Sequence, residues 1–155
     1  MKRWIARIAY TICQAWGQEP EQIIYPTKTV KADSDEIYRI LREEFPNGQI
    51  YISDSTDYFL CAYDDIAYFL AKDETNRQEY VEERFDCDDF AAMLYGQFST
   101  PDWSDMCVGL IWTERHALNI MISVDKRVLF IEPQSDTIQE NLLPWQGQAM
   151  RFIIM

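Results

Sequence analysis

The chain has 155 residues, a formal net charge of −12 and 48% hydrophobic residues. A chain of this length and composition is expected to fold as one domain over residues 1–155 around its own core. The surplus of negative charge argues against nucleic acid and anionic membrane surfaces as partners. No apolar run approaches the roughly 18 residues of a membrane span.

The first half of the sequence predicts mainly helices. A helical stripe of apolar residues indicates an amphipathic helix over residues 2–16. A second helix is expected to begin near Ser34, where a serine can cap it, and a third near Asp64. Residues 49–52 and 58–62 are typical of short strands.

The second half changes from a helical to a strand period. Apolar residues three and four apart predict a helix over about residues 88–98. Three apolar runs of strand length follow, and a short turn at residues 125–127 makes the last two an antiparallel hairpin. Helices followed by a sheet indicate an α+β fold, with N-terminal helices packed on a C-terminal antiparallel sheet. The predicted strands are 106–112, 117–124, 128–131 and a closing strand over 150–155.

The cysteines predict a reducing environment. Cys13, Cys61, Cys87 and Cys107 are far apart and form no CxxC pair, and one histidine is too few for a zinc cluster of the usual kind. A domain with this much core-forming sequence needs no disulfides, so reduced thiols are expected. Arg7 interrupts the only stretch that resembles a signal peptide. These features predict a protein in the cytoplasm or another intracellular compartment.

Cys87 is the candidate nucleophile. It lies at the predicted start of a helix, where unpaired backbone N–H groups lower a thiol's pKa and bind a developing oxyanion. Asp86, Asp88 and Asp89 oppose this effect, because carboxylates beside a thiolate repel it. A hard cation held by the three aspartates would reverse the local field, and clustered oxygen ligands suit Ca²⁺. The alternative is that the acids only cap the helix and complement its dipole.

His116 and Glu132 complete a possible thiol-nucleophile arrangement. His116 begins one strand of the predicted hairpin and Glu132 ends the other, so the two side chains are expected to meet at one end of the sheet. A cysteine, a histidine and an orienting acid are the parts that thiol catalysis requires. Asn119 points to the opposite strand face by the period of two and receives no catalytic role.

Three motifs resemble one protein family. The stretches Asp86–Ala91, His116–Asn119 and Ile131–Gln134 are similar to the papain-like C-terminal domain of mushroom agglutinins of the Marasmius oreades type. More distantly, they resemble bacterial transglutaminase-like cysteine peptidases. The resemblance implies a papain-like fold, a Cys87–His116–Glu132 triad and calcium at Asp86 and Asp88. The sugar-binding trefoil of the agglutinins has no counterpart, so carbohydrate binding is not carried over.

The resemblance therefore implies a calcium-dependent cysteine peptidase acting on a protein or peptide substrate. The alternative is a catalytically silent papain-like structural or binding protein, for example a phage or prophage component. Amidase or transglutaminase chemistry would use the same residues. No glutamine shortly precedes Cys87, and Gln134 is one candidate for the second oxyanion donor. Substrate and oligomeric state are not indicated by the sequence.

Overall fold

The computed structural model describes residues 25–54 and 57–155. The helix predicted over residues 2–16, and Cys13 within it, lie outside the described residues. The strands are β1 (Lys31–Ala32), β2 (Gln49–Tyr51), β3 (Tyr58–Phe59), β4 (Val108–Thr113), β5 (Ala117–Ile122), β6 (Val128–Glu132), β7 (Thr137–Gln139) and β8 (Met150–Ile154). The α-helices are α1 (Ser34–Glu44), α2 (Tyr63–Leu70) and α3 (Cys87–Phe98), with 3₁₀ turns at Thr75–Arg77 and Pro144–Gln146.

The main sheet has six strands in the order β2-β8-β4-β5-β6-β7. Four of its five pairings are antiparallel, including the predicted β5–β6 hairpin, in which Asn119 pairs with Ile131. The fifth, β2 with β8, is parallel and brings a strand from the first half of the chain to the sheet edge. The predicted α+β class is confirmed, while the expectation of a purely C-terminal antiparallel sheet is corrected by β2.

The capping residue of α1 differs from the prediction by one position. Asp33, not Ser34, is the N-cap, and its carboxylate accepts a hydrogen bond from the backbone N–H of Glu36 at 2.8 Å. A charged oxygen at this position satisfies an otherwise unpaired N–H and complements the helix dipole. Ile37 and Leu41 then lie on the buried face of the helix.

Helix α3 packs on the middle of the sheet and is held there by a polar clamp. The side-chain amide of Asn119, which is fully buried on β5, donates to the backbone carbonyls of Ala91 at 3.0 Å and Gly109 at 3.2 Å. This residue therefore joins the helix that begins with Cys87 to two adjacent strands. The buried residues of α3 are Phe90, Ala91, Leu94 and Phe98.

Two elements of the second half were not predicted from the sequence. Strand β7 extends the sheet beyond β6, with Glu132 opposite Thr137. The second element is the 3₁₀ turn Pro144–Gln146. Both elements lie beside Glu132, so they shape the end of the sheet where the candidate site is found.

Within residues 25–54 and 57–155, no helix combines the length and the apolar character that crossing a membrane requires.

Replacement of Asn119 by Ala is expected to lower the free energy of unfolding by about 2–3 kcal/mol, because two buried carbonyls lose a donor. Urea denaturation followed by circular dichroism measures the effect. The control is Asn141→Ala, which changes an exposed amide. Equal stability of the two variants would contradict the role of Asn119 as a clamp.

Candidate functional site

The structure brings Cys87, His116 and Glu132 to one groove. Cys87 is the first residue of α3, His116 directly precedes β5, and Glu132 is the last residue of β6. All three line a cleft of about 470 Å³. The other lining residues are Tyr80, Arg115, Gln134, Ser135 and Trp145. The fold therefore brings the three predicted residues to one cleft. Their chemical roles stay predictions.

The imidazole of His116 is paired with the carboxylate of Glu132. Nε2 of His116 lies 2.8 Å from Oε2 of Glu132, and the residues are only 8% and 6% exposed. The β5–β6 hairpin explains the contact, because it places the start of one strand beside the end of the next. Because both residues are largely shielded from solvent, a hydrogen bond to the carboxylate fixes the ring orientation strongly.

Glu132 has a second partner that the sequence did not suggest. The side-chain amide of Gln146 donates to Oε2 of Glu132 at 2.9 Å, and Gln146 is fully buried. The other oxygen, Oε1, is buried and has no hydrogen-bond partner among the described residues. The carboxylate is therefore held through a single oxygen that receives both the imidazole and the amide.

Cys87 is half-buried at the start of α3. Burial raises the pKa of its thiol, and the neighbouring charges of Asp86 and Asp88 raise it further. The backbone N–H groups of Ala117 and Asp88 act in the opposite direction and lower it, but the net shift is upward. The carboxylates therefore oppose thiolate formation in the direction that the sequence indicated.

The three aspartates differ in what they do. Asp89 accepts a hydrogen bond from the backbone N–H of Asp86 at 3.1 Å, so it serves as a cap. Asp86 and Asp88 are hydrogen-bonded to each other, which lowers the pKa of Asp86 and raises that of Asp88. Together with the sulfur of Cys87, one oxygen from each of these two carboxylates forms a group whose atoms all lie within 4.8 Å of one another. Asp86 and Asp88 can therefore face one cation.

An aromatic wall and several polar side chains surround the thiol. Trp145 is 55% exposed, and its ring lies edge-on to the imidazole of His116 with the centroids 4.8 Å apart. Arg115 and Gln134 add polar groups to the same groove. The tryptophan was missed because it lies in a stretch without helical or strand period, and only its position beside Pro144 could have drawn attention to it.

No protein-family model matches the sequence, and no curated protein matches it. Among solved structures, the chain is similar to one described as a complex of PSL1a with E64, with a TM-score of 0.71 and 20% identity over 83% of this chain and 51% of that one. It is also similar to Polyporus squamosus lectin bound to the human-type influenza-binding epitope Neu5Aca2-6Galb1-4GlcNAc, with a TM-score of 0.68 and 20% identity over 83% of this chain and 50% of that one. This chain thus corresponds to about half the length of each.

These structures correct the predicted family and function. The motifs predicted an enzyme, a calcium-dependent cysteine peptidase with a protein or peptide substrate. The alternative was a catalytically silent papain-like structural or binding protein, for example a phage or prophage component. The proteins that share the fold are described instead as a lectin with a bound sialylated glycan and as an E64 complex; neither is described as a peptidase or a phage protein. Three short motifs bring a thiol, an imidazole and a carboxylate together, but turnover also requires substrate positioning and oxyanion donors that the motifs do not specify.

Cys87 is expected to be the first of the described thiols to react with iodoacetamide, because Cys61 and Cys107 are fully buried and burial raises the pKa of both. Since the pKa of Cys87 is itself raised, its alkylation rate should increase with pH from about 7 to 9. Asp88→Asn removes one like charge and should move this profile to lower pH. Peptide mass spectrometry measures the rate at each thiol.

The matched control is Asp64→Asn, an exposed acid in α2. An unchanged profile in Asp88→Asn, or earlier labelling of Cys61 or Cys107 in the folded protein, would contradict this account of the thiol.

Proposed function

We propose that this chain is a ligand-binding protein whose site is the groove formed by Cys87, His116, Glu132 and Trp145. The observation that carries the proposal is the buried His116–Glu132 pair, which lies in the same cleft as a half-buried thiol. Buried polar groups are costly unless they are satisfied, so their concentration beside an exposed aromatic ring favours a site for a ligand.

We also propose that the fold is the papain-like variant of the α+β class and that residues 1–155 form one domain.

The first ligand class that we propose is a small electrophile captured by Cys87. A thiolate opens an epoxide by forming a C–S bond as the C–O bond breaks, and the alkoxide that is released takes up a proton. The thiol proton can pass to the imidazole of His116 and from there to this oxygen, while Glu132 orients the ring and offsets its charge. The complex of the similar protein PSL1a with E64, an epoxide, supports this choice of ligand.

The second ligand class is a carbohydrate, and Trp145 is the observation that favours it. An exposed aromatic face beside hydrogen-bonding groups suits a sugar ring, whose C–H bonds pack on the indole while its hydroxyls meet polar side chains. Arg115 adds a cation that suits a carboxylated sugar. The glycan bound by the similar Polyporus squamosus lectin supports this class. About half of the length of the lectin lies outside the match.

We further propose that Ca²⁺ binds at Asp86 and Asp88. Two carboxylates at a helix start offer the hard oxygen donors that this ion prefers, and their mutual hydrogen bond would give way to shared coordination. Ca²⁺ is a hard cation and does not favour the soft sulfur of Cys87 as a ligand, so the thiol would stay free to react. Asp89 is a weaker member of the set, because it caps the helix. Carbonyl groups and water would supply the remaining ligands.

We propose a reducing compartment such as the cytoplasm, because a domain with this much core-forming sequence needs no disulfides. Cys61, Cys87 and Cys107 are free thiols in the described part of the chain.

The test is incubation with E64, in excess chelator and then with Ca²⁺ restored, followed by intact-mass and peptide analysis. We expect one equivalent of E64 on Cys87, faster labelling with Ca²⁺, and a loss of at least about tenfold in His116→Ala, because the proton acceptor is gone. Cys87→Ser should not be labelled. The control is Ser104→Ala, which changes an exposed serine that does not line the groove.

The carbohydrate candidate is measured separately by calorimetry with Neu5Aca2-6Galb1-4GlcNAc. Trp145→Ala should abolish the heat of binding, whereas Tyr51→Ala, another exposed aromatic, should not. Labelling without glycan binding would select the electrophile, and glycan binding that Trp145→Ala removes would select the sugar. Absence of both would overturn the proposal that this groove is a ligand site.

A further inference from the structure

Gln146 is buried in the 3₁₀ turn Pro144–Gln146, and both ends of its side-chain amide are engaged. Oε1 accepts hydrogen bonds from the backbone N–H of Leu143 at 2.8 Å and from Nε2 of Gln139 at 2.6 Å. Because a backbone N–H can only donate, it fixes Oε1 on that side. The opposite end, Nε2, must therefore face Glu132 and donate to it. The hydrogen-bond partners of Gln146 therefore determine which end of its amide is oxygen and which is nitrogen.

The backbone of Gln146 is connected to His116 by a second route. Its carbonyl is one of two acceptors for the hydroxyl of Thr113, the last residue of β4; the other is the carbonyl of His116 at 3.1 Å. The same Thr113 oxygen accepts from the backbone N–H groups of His116 at 2.9 Å and Arg115 at 3.1 Å. Thr113 thus holds the turn that carries the imidazole, and it ties that turn to the segment that carries Gln146.

The two routes form a closed ring of hydrogen bonds. It runs from the imidazole of His116 to the carboxylate of Glu132, through the side chain and backbone of Gln146, to the hydroxyl of Thr113 and back to the N–H of His116. The adjacent residue, Trp145, lies against the imidazole. One 3₁₀ turn therefore contacts the ring of His116, its acid partner and its backbone anchor.

We propose that Gln146 is a positioning residue, which acts through Glu132 and Thr113 to hold the imidazole of His116 in the orientation that the Cys87 groove requires. The inference rests on the proposed function, because it assigns Gln146 a part in the reactivity of that groove. Glu132 has no hydrogen-bond partner on Oε1 among the described residues, so its placement depends on the imidazole and on Gln146. Without the amide, the carboxylate is free to turn away from the ring.

The experiment compares Gln146→Met, which keeps the length of the side chain and removes the donor, with Gln148→Met. Gln148 lies in the same segment and donates to the carbonyl of Leu142 at 3.1 Å, but it does not contact Glu132. The first readout is the rate of E64 labelling at Cys87. We expect a loss on the order of tenfold in Gln146→Met, the scale of one charge-assisted hydrogen bond, and no loss in Gln148→Met.

The second readout does not depend on thiol reactivity. His116 is the only histidine of the chain, so its ring signals in ¹H–¹⁵N NMR are unambiguous. In the unmodified protein the Nε2 proton should appear strongly downfield because of its bond to Glu132. In Gln146→Met this proton should move upfield or exchange with water, while the backbone amide signals of β5 and β6 stay in place.

Thr113→Val and Thr113→Ser provide an independent pair. Valine removes the hydroxyl and should reproduce the upfield shift and the slower labelling, whereas serine restores the hydroxyl and should recover both. If Gln146→Met does not fold, these two Thr113 variants still test the positioning role. An unmoved Nε2 proton in both Gln146→Met and Thr113→Val would overturn the positioning role. If E64 labels neither the variants nor the unmodified protein while the Nε2 proton still moves, the proposed capture of an electrophile by Cys87 fails and the positioning role stands.

Discussion

The buried pair of His116 and Glu132 constrains the rest of the site, because two polar groups cannot remain at the end of a sheet without partners. Water has little access to them, so the protein supplies the partners itself. The hairpin supplies the first, by placing imidazole and carboxylate 2.8 Å apart. Gln146 supplies the next, and the turn that delivers its amide also delivers Trp145 to the groove. The same turn therefore supplies a partner to the pair and part of the groove wall.

The position of Cys87 is set by a different interaction. Helix α3 lies on the sheet through an apolar face, and apolar packing alone would tolerate small shifts along the strands. The two hydrogen bonds from Asn119 remove that freedom, since they join the carbonyl of Ala91 in the helix to that of Gly109 in β4. The residue that begins this helix is therefore fixed relative to the hairpin. Asn119 has no part in the groove, yet the groove depends on it.

Sequence reasoning was effective where a period or a short connection determines the outcome. The helical spacing from Phe90 to Phe98 located α3, and the turn at residues 125–127 implied the contact between His116 and Glu132. It failed where the outcome depends on a partner distant in sequence. The parallel pairing of β2 with β8 has no local signal, and neither does the bond from Gln146 to Glu132. An isolated glutamine in a loop has no pattern from which a buried role can be predicted.

The same distinction explains why the predicted activity had to be corrected. The motifs located a thiol, an imidazole and a carboxylate that line one groove, and the hairpin explains the contact between the last two. Which molecule enters the groove depends instead on its walls, and the wall residue Trp145 comes from the segment that the sequence did not reveal. Half-burial and two neighbouring carboxylates leave Cys87 with a raised pKa. A cation held by Asp86 and Asp88, as proposed above, would lower the pKa of Cys87 again, because a nearby positive charge favours the thiolate.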